Sequence, residues 1–286
     1  MKKIIVPTDF SDNAYNALRY AVQLLKDEIC TFYILNTYTP VVYDPEYLNT
    51  DATLSLTEIA QRQSMQGLED TFNRIKNEFN NPNHRFETIS AFNYLSDELQ
   101  IQTEEKDIDL IIMGTQGATG AKEVIFGSQT MHVIKKIKTP LLAVPSGYRF
   151  NSLKNILFPS DLELEFEESK LRIAKELAAK NKSQIHILHM LTKTSLNETQ
   201  EKRKKNLTQY FEGIPSEFHI IRAYSITETI KKYEENLAVD LLVMMNNKHS
   251  FFENLLFQPT IENIGFHTRI PFLIIPSGKF RSFSLL

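Results

Sequence analysis

The chain has 286 residues, 42% hydrophobic and 23% charged, with a net charge of -3, one cysteine and no tryptophan. At roughly 100–200 residues per domain, that length suggests two domains. The apolar fraction excludes global disorder, and no apolar run approaches the roughly 18–20 residues of a membrane span. The lone Cys30 excludes an internal disulfide and every multi-cysteine zinc site, and the small net charge gives neither nucleic acid nor an anionic membrane a footing. The opening MKKIIVPTDF loses its apolar character at Asp9, too early for a secretory h-region, so a cytoplasmic location is expected.

The chain repeats itself. Residues 3–9 read KIIVPTD and residues 155–161 read NILFPSD. Residues 109–147 lie over 240–278 without a gap; DLII aligns with DLLV and TPLLAVPSG with IPFLIIPSG, while the middle has diverged. A period near half the chain means two whole domains of one ancestry, expected at 1–149 and 150–286, rather than a solenoid of short units.

In chain order, short apolar runs occur at 4–6, 32–35, 86–89, 110–113 and 141–144, and again at 156–158, 185–188, 218–221, 241–244 and 272–275. Several are Ile- and Val-rich and continuous, the pattern of parallel strands buried on both faces. Helical spacing lies between them. Ala14, Ala17, Leu18, Ala21, Val22 and Leu25 form one stripe, with Ser11 as its N-cap. Residues 39–50 read as a loop and 54–79 as a long helix. Ser96 is expected to cap a helix reaching Lys106, and Ser225 with Glu228 forms a capping-box pattern. A helix over 197–211 carries Lys202-Arg203-Lys204-Lys205, read as a solvated face rather than a basic patch. Strand–helix alternation of this kind means an α/β fold with a mostly parallel sheet.

The chemistry is concentrated after the fourth strand. Met113-Gly114-Thr115-Gln116-Gly117 is followed by Gly127-Ser128, a Gly-x2-Gly-x9-Gly-Ser spacing at a strand end and a helix start. Glycines let a ligand approach the main chain, and a helix N-terminus attracts phosphate. The arrangement therefore fits a phosphate cradle, with Asp9 at the end of strand one beside it. There is no GxxxxGK[ST], no GxGxxG after the first strand and no GxSxG, which excludes a P-loop, a dinucleotide site and a nucleophile elbow.

IIVPTDFS, Gly114-x2-Gly117-x9-Gly127-Ser128 and TPLLAVP together resemble the universal stress protein (UspA) family in its tandem two-domain form. The resemblance spans essentially the whole chain. It implies two Rossmann-like domains of the adenine nucleotide alpha hydrolase type, each a five-stranded parallel sheet in order 3-2-1-4-5 with helices on both faces. It further implies ATP or another adenine nucleotide, with or without Mg, bound in the N-terminal domain. By resemblance, Pro7 and Asp9 line the ribose, Thr37 meets adenine through its backbone, and Met113 packs near the base. Gly114, Gly117, Gly127, Ser128 and Gln129 surround the phosphates. The family often has His where this chain has Asn36.

The second copy departs from this pattern. Asp161 persists, but Met245, Lys248, Gln258 and Pro259 replace Gly114, Gly117, Gly127 and Ser128. Pro259 has neither an N–H nor a hydroxyl to offer phosphate. The second domain is therefore expected to be structural or protein-binding. A general base beyond Asp9 and an arginine or lysine clamp are both missing, so at most slow ATP hydrolysis is expected, in a stress-response or regulatory protein. The competing reading is a scaffold in which neither half binds nucleotide. The resemblance also implies pairing of the two fifth strands, an intramolecular pseudo-dimer, with a further homodimer left open. His186 and His189, three apart on a strand, face opposite sides and are not expected to share a metal. The other histidines are read as lacking ligand spacing, Cys30 as a small core residue, and Met244 and Met245 as core filler.

Overall fold

The computed structural model describes residues 1–39, 51–115, 128–163, 165–191, 195–222, 226–246 and 269–276. The chain forms two compact units whose boundary falls between Phe150 and Asn151.

The N-terminal unit runs β1 (Lys2–Pro7), α1 (Asp12–Leu24), β2 (Cys30–Tyr38), α2 (Asp51–Glu78), β3 (His84–Phe92), α3 (Leu95–Glu105), β4 (Leu110–Gly114), α4 (Ser128–Lys136) and β5 (Leu141–Val144). Its strands are parallel in the order β3-β2-β1-β4-β5. The inner strands are apolar on both faces: Ile4, Ile5, Val6, Leu110, Ile111 and Ile112 are fully buried. Edge strand β3 instead has exposed side chains at nearly every second position. Truncating one buried isoleucine, as in Ile5→Ala, costs about 2–5 kcal/mol. Helix α1 packs on α2, and α3 on α4. Right-handed crossovers explain this grouping: the chain travels one way from β1 to β3 with α1 and α2 on one face, then returns past β1 with α3 and α4 on the other.

The C-terminal unit repeats the plan with β6 (Asn155–Pro159), α5 (Glu168–Asn181), β7 (Gln184–Met190), α6 (Glu198–Tyr210), β8 (Ser216–Ile221), α7 (Ile226–Asn236), β9 (Leu241–Asn246) and β10 (Phe272–Pro276). Its parallel order is β8-β7-β6-β9-β10. The register is inherited as well. Ile4 and Ile5 pair with Leu110 and Ile111, and their sequence counterparts Ile156 and Leu157 pair with Leu241 and Leu242.

Local signals set the helix starts. The Ser11 hydroxyl accepts from the Ala14 amide at 3.2 Å, as its N-cap position requires. Ser96, in contrast, lies inside the first turn of α3. Tyr94 is the cap residue, and the Asn93 side chain fixes it by accepting from the Tyr94 amide at 2.8 Å and donating to Glu98 at 3.0 Å. Asn197 and Gln200 close a full capping box on α6. Ser225 lies outside the described residues.

Candidate functional site

The strand order of each unit reverses beside its first strand, and the candidate site lies at the carboxyl ends of β1 and β4. After Pro7 the chain makes a tight turn into α1. The Thr8 hydroxyl accepts from the Phe10 amide at 3.0 Å, and Asp9 Oδ1 accepts from both the amide and the hydroxyl of Ser11. These bonds hold Phe10 at φ 65, a left-handed conformation costly for a residue with a side chain. The Phe10 ring packs where a Cβ on Gly67 of α2 would sit, at 2.6 Å, so any larger residue there would displace the ring. Asn36, buried on β2, donates from Nδ2 to the Thr8 carbonyl at 2.7 Å and ties the turn to the neighbouring strand.

Pro7 is buried at the end of β1, and Asp9 stands exposed just beyond it. Thr37 lies within β2, which runs to Tyr38, rather than past its end; it is half-buried and pairs with Ala91. Met113 is buried, and Gly114 closes β4 against Val144 of β5. A Cβ on Gly114 would collide with the Asn13 side chain and lie 3.2 Å from the Asn13 carbonyl oxygen. Glycine is thus what lets α1 lie close to the end of β4. Ser128 begins α4, and Gln129 is exposed in its first turn. The Thr130 hydroxyl reaches the Gly114 carbonyl at 3.4 Å, which brings the start of that helix to the end of β4. Gly117 and Gly127 lie outside the described residues.

Sequence reasoning assigned no role to the residues that build this corner: Thr8, Asn13, Asn36, Thr115 and Thr130. Thr115 is 1% exposed, and its hydroxyl has no hydrogen-bond partner among the described residues. A signal was available for Thr8, because the small hydroxyl residue before Asp recurs in both copies.

In the C-terminal unit the Ser160 hydroxyl accepts from the Leu162 amide at 3.3 Å, and Asp161 Oδ1 from the Glu163 amide at 3.1 Å. Leu162 takes φ 56. His189, at the position of Asn36, faces the Ser160 carbonyl with Nδ1 at 2.8 Å. Helix α6 covers this turn: Arg203 donates to the Leu162 carbonyl at 2.9 Å and Gln200 to Glu163 at 3.0 Å. Within the basic run Lys204 pairs with Glu201 at 3.9 Å, so two of its four cations are engaged on the protein itself. Met244 is buried and Met245 half-exposed. Cys30 is 1% exposed, and burial raises its thiol pKa to about 11, which makes it a core residue and a poor nucleophile.

An open parallel sheet whose order reverses at β1 defines the doubly wound α/β class, in which ligands bind beyond the strand ends at the reversal. Within that class, the Universal stress protein family model matches residues 1–145 and 190–276, and the chain belongs to this family. It is 24% identical over 298 residues to a universal stress protein of Synechocystis, covering 96% of this chain and 99% of that one. A universal stress protein of Methanocaldococcus jannaschii is 28% identical over 153 residues, 50% of this chain and 94% of the relative. A universal stress protein structure from Archaeoglobus fulgidus superposes with a TM-score of 0.70 at 18% identity, over 96% of this chain and 98% of that one. Among the described residues no helix is long and apolar enough to cross a membrane.

Proposed function

We propose that the N-terminal unit binds an adenine nucleotide, ATP in the first instance, at the carboxyl ends of β1 and β4, and that the bound state carries a regulatory role in stress response. The observation that supports this most is the corner itself. Asp9 is held by Ser11 just beyond β1, and Gly114 ends β4 with its carbonyl against the start of α4. A carboxylate suits ribose hydroxyls, and a helix start beside a glycine-ended strand suits phosphate. Pro7, Asp9, Thr37 and Met113 are assigned to the nucleoside, and Gly114, Gly117, Gly127, Ser128 and Gln129 to the phosphates, with Mg as an accompanying ion. The C-terminal unit, with Met245 at the position of Gly114, is assigned a structural or protein-binding role.

Calorimetry of the intact chain with ATP tests the reading. One nucleotide per chain is expected, with loss of at least roughly tenfold in affinity on Asp9→Ala, the scale of a charge-assisted hydrogen bond. Absence of heat and of any thermal shift at millimolar ATP would favour the scaffold instead.

A further inference from the structure

The C-terminal unit carries a second cluster of chemistry, on strands away from the turn just described. Strands β7 and β8 place His186 directly opposite Glu217, and His219 follows Glu217 by two residues on the same face. Alternation along the strand, with a one-pair offset across it, brings three donor atoms together. His186 Nδ1 lies 3.1 Å from His219 Nε2, and the Glu217 carboxylate oxygen lies 3.9 Å and 3.8 Å from those two nitrogens. A point equidistant from the three atoms is about 2.1 Å from each, inside the range of about 2.0–2.2 Å for zinc bound to imidazole nitrogen or carboxylate oxygen. We propose that His186, Glu217 and His219 form a binding site for a divalent transition-metal ion of the zinc class.

The surroundings fit that assignment. A metal-bound histidine commonly donates its other ring N–H to a fixed acceptor, which selects the tautomer. His186 Nε2 faces Asn155 Oδ1 at 3.4 Å, and Asn155 is oriented by donating through Nδ2 to the Leu237 carbonyl at 2.9 Å. The Nδ1 lone pair of His186 is then directed away from Asn155, toward the cluster. Gln184 donates to the same Glu217 oxygen at 3.4 Å, and the Tyr233 ring packs edge-on against His219. His186 is 5% exposed. Without an ion, His219 Nε2–H can donate to His186 Nδ1 across their 3.1 Å contact; metal binding takes His219 in its other tautomer, the proton moving through solvent from Nε2 to Nδ1. Glu217 is the exposed member, so the ion has a path in from solvent and keeps water at its remaining position. Two imidazoles and one carboxylate favour zinc, nickel, cobalt or copper over magnesium or calcium. The ion would join β8, the last strand in its unit's order, to β7.

The experiment is a titration of the full chain, freed of any polyhistidine tag and of nucleotide, with Zn²⁺ alone and separately with Co²⁺. One ion per chain at micromolar or tighter affinity is expected, with an intense low-coordinate visible spectrum for Co²⁺ and a rise of several degrees in the thermal midpoint at saturating Zn²⁺. Glu217→Gln, at an exposed position, leaves packing alone and should weaken binding by at least the roughly 10–100-fold that follows loss of even an outer-shell partner. His219→Asn should remove the spectrum, and His132→Gln should change nothing. Failure of the parent to take up ion, or equal uptake by the parent, Glu217→Gln and His219→Asn, overturns the proposal. Because no nucleotide is present, the outcome is independent of the function assigned to the N-terminal unit.

Discussion

The two turns that follow β1 and β6 are the same piece of backbone with different neighbours. In both, a small hydroxyl residue and an aspartate fold the chain back, and the residue after the aspartate sits in the left-handed region: Phe10 in one unit, Leu162 in the other. In both, the second strand ties the turn down through a side chain aimed at the hydroxyl residue's carbonyl, Asn36 in one and His189 in the other. The difference lies in what faces the turn. The N-terminal unit presents the glycine end of β4, whereas the C-terminal unit has Met245 at that position and covers its turn with Arg203 and Gln200 of α6. The Pro-hydroxyl-Asp motif is therefore a device for launching a helix from a strand. Its survival opposite a chain segment without glycines follows from that backbone duty, and Asp161 by itself marks no ligand.

The sharpest way to break the comparison is to exchange the strand ends. Gly114→Met should abolish ATP-dependent stabilisation and also cost about 1–3 kcal/mol, because its side chain collides with Asn13. Met245→Gly should confer no nucleotide binding on the C-terminal unit, since Gln258 and Pro259 still replace Gly127 and Ser128. Calorimetry with ATP and denaturant unfolding read the two effects separately.

Next in size are the ties between strands. Asn36→Ala strips a buried carbonyl of its donor and His189→Ala a part-buried one, and each should cost about 1–3 kcal/mol by urea unfolding. Asn36→His should be the mildest change at that position, because the C-terminal unit already makes the same bond with imidazole. If Asn36→His proves as damaging as Asn36→Ala, the equivalence of the two turns fails. A smaller loss, about 1 kcal/mol, is expected for Arg203→Met, which keeps the aliphatic stem and removes one bond to the Leu162 carbonyl. The same substitution has no counterpart in the N-terminal unit, where Phe10 rests on Gly67 instead.

The smallest effect is one of pH, read at His84 in the N-terminal unit. Burial holds His84 below its ordinary pKa of 6.5, against a hydrogen bond to the Leu25 carbonyl that works the other way. A depressed histidine favours the neutral form in the folded state. Its contribution is complete above the ordinary pKa and is lost as pH falls through the folded value. Unfolding midpoints compared at about pH 7.5 and about pH 5.5 should therefore fall less in His84→Gln than in the parent.

Much of the architecture was legible from hydrophobic runs alone. Among the described residues, all ten strands fall on the apolar segments read from the sequence, and the offsets of the repeat carry over into pairing register. Ser11 was legible as a cap because it stands directly before a helical stripe. Ser96 misled for the same reason: the true start is fixed by Asn93, whose side-chain bond to Glu98 five residues on matches no standard cap spacing. The metal cluster was hidden differently. His186 and His189 invite comparison because they are near in sequence, yet they face the cluster and the Ser160 carbonyl respectively. The partners of His186 lie one strand away, and only the register of β7 against β8 brings them together. In the N-terminal unit, the strand-end positions of Asp9 and Gly114 were legible from their motifs. Asn36 was not, because its role is a hydrogen bond to a main-chain carbonyl that any neighbour could have supplied.

The inertness of Cys30, sealed in β2 with its thiol held protonated, has a practical side. A chain with one silent sulfhydryl and no indole is an optically and chemically blank background. A single cysteine introduced on an exposed helix would take a maleimide dye alone, and a single tryptophan placed beside Asp9 would own the whole red-shifted emission. Occupancy of either unit could then be followed one fluorophore at a time in an otherwise unaltered molecule.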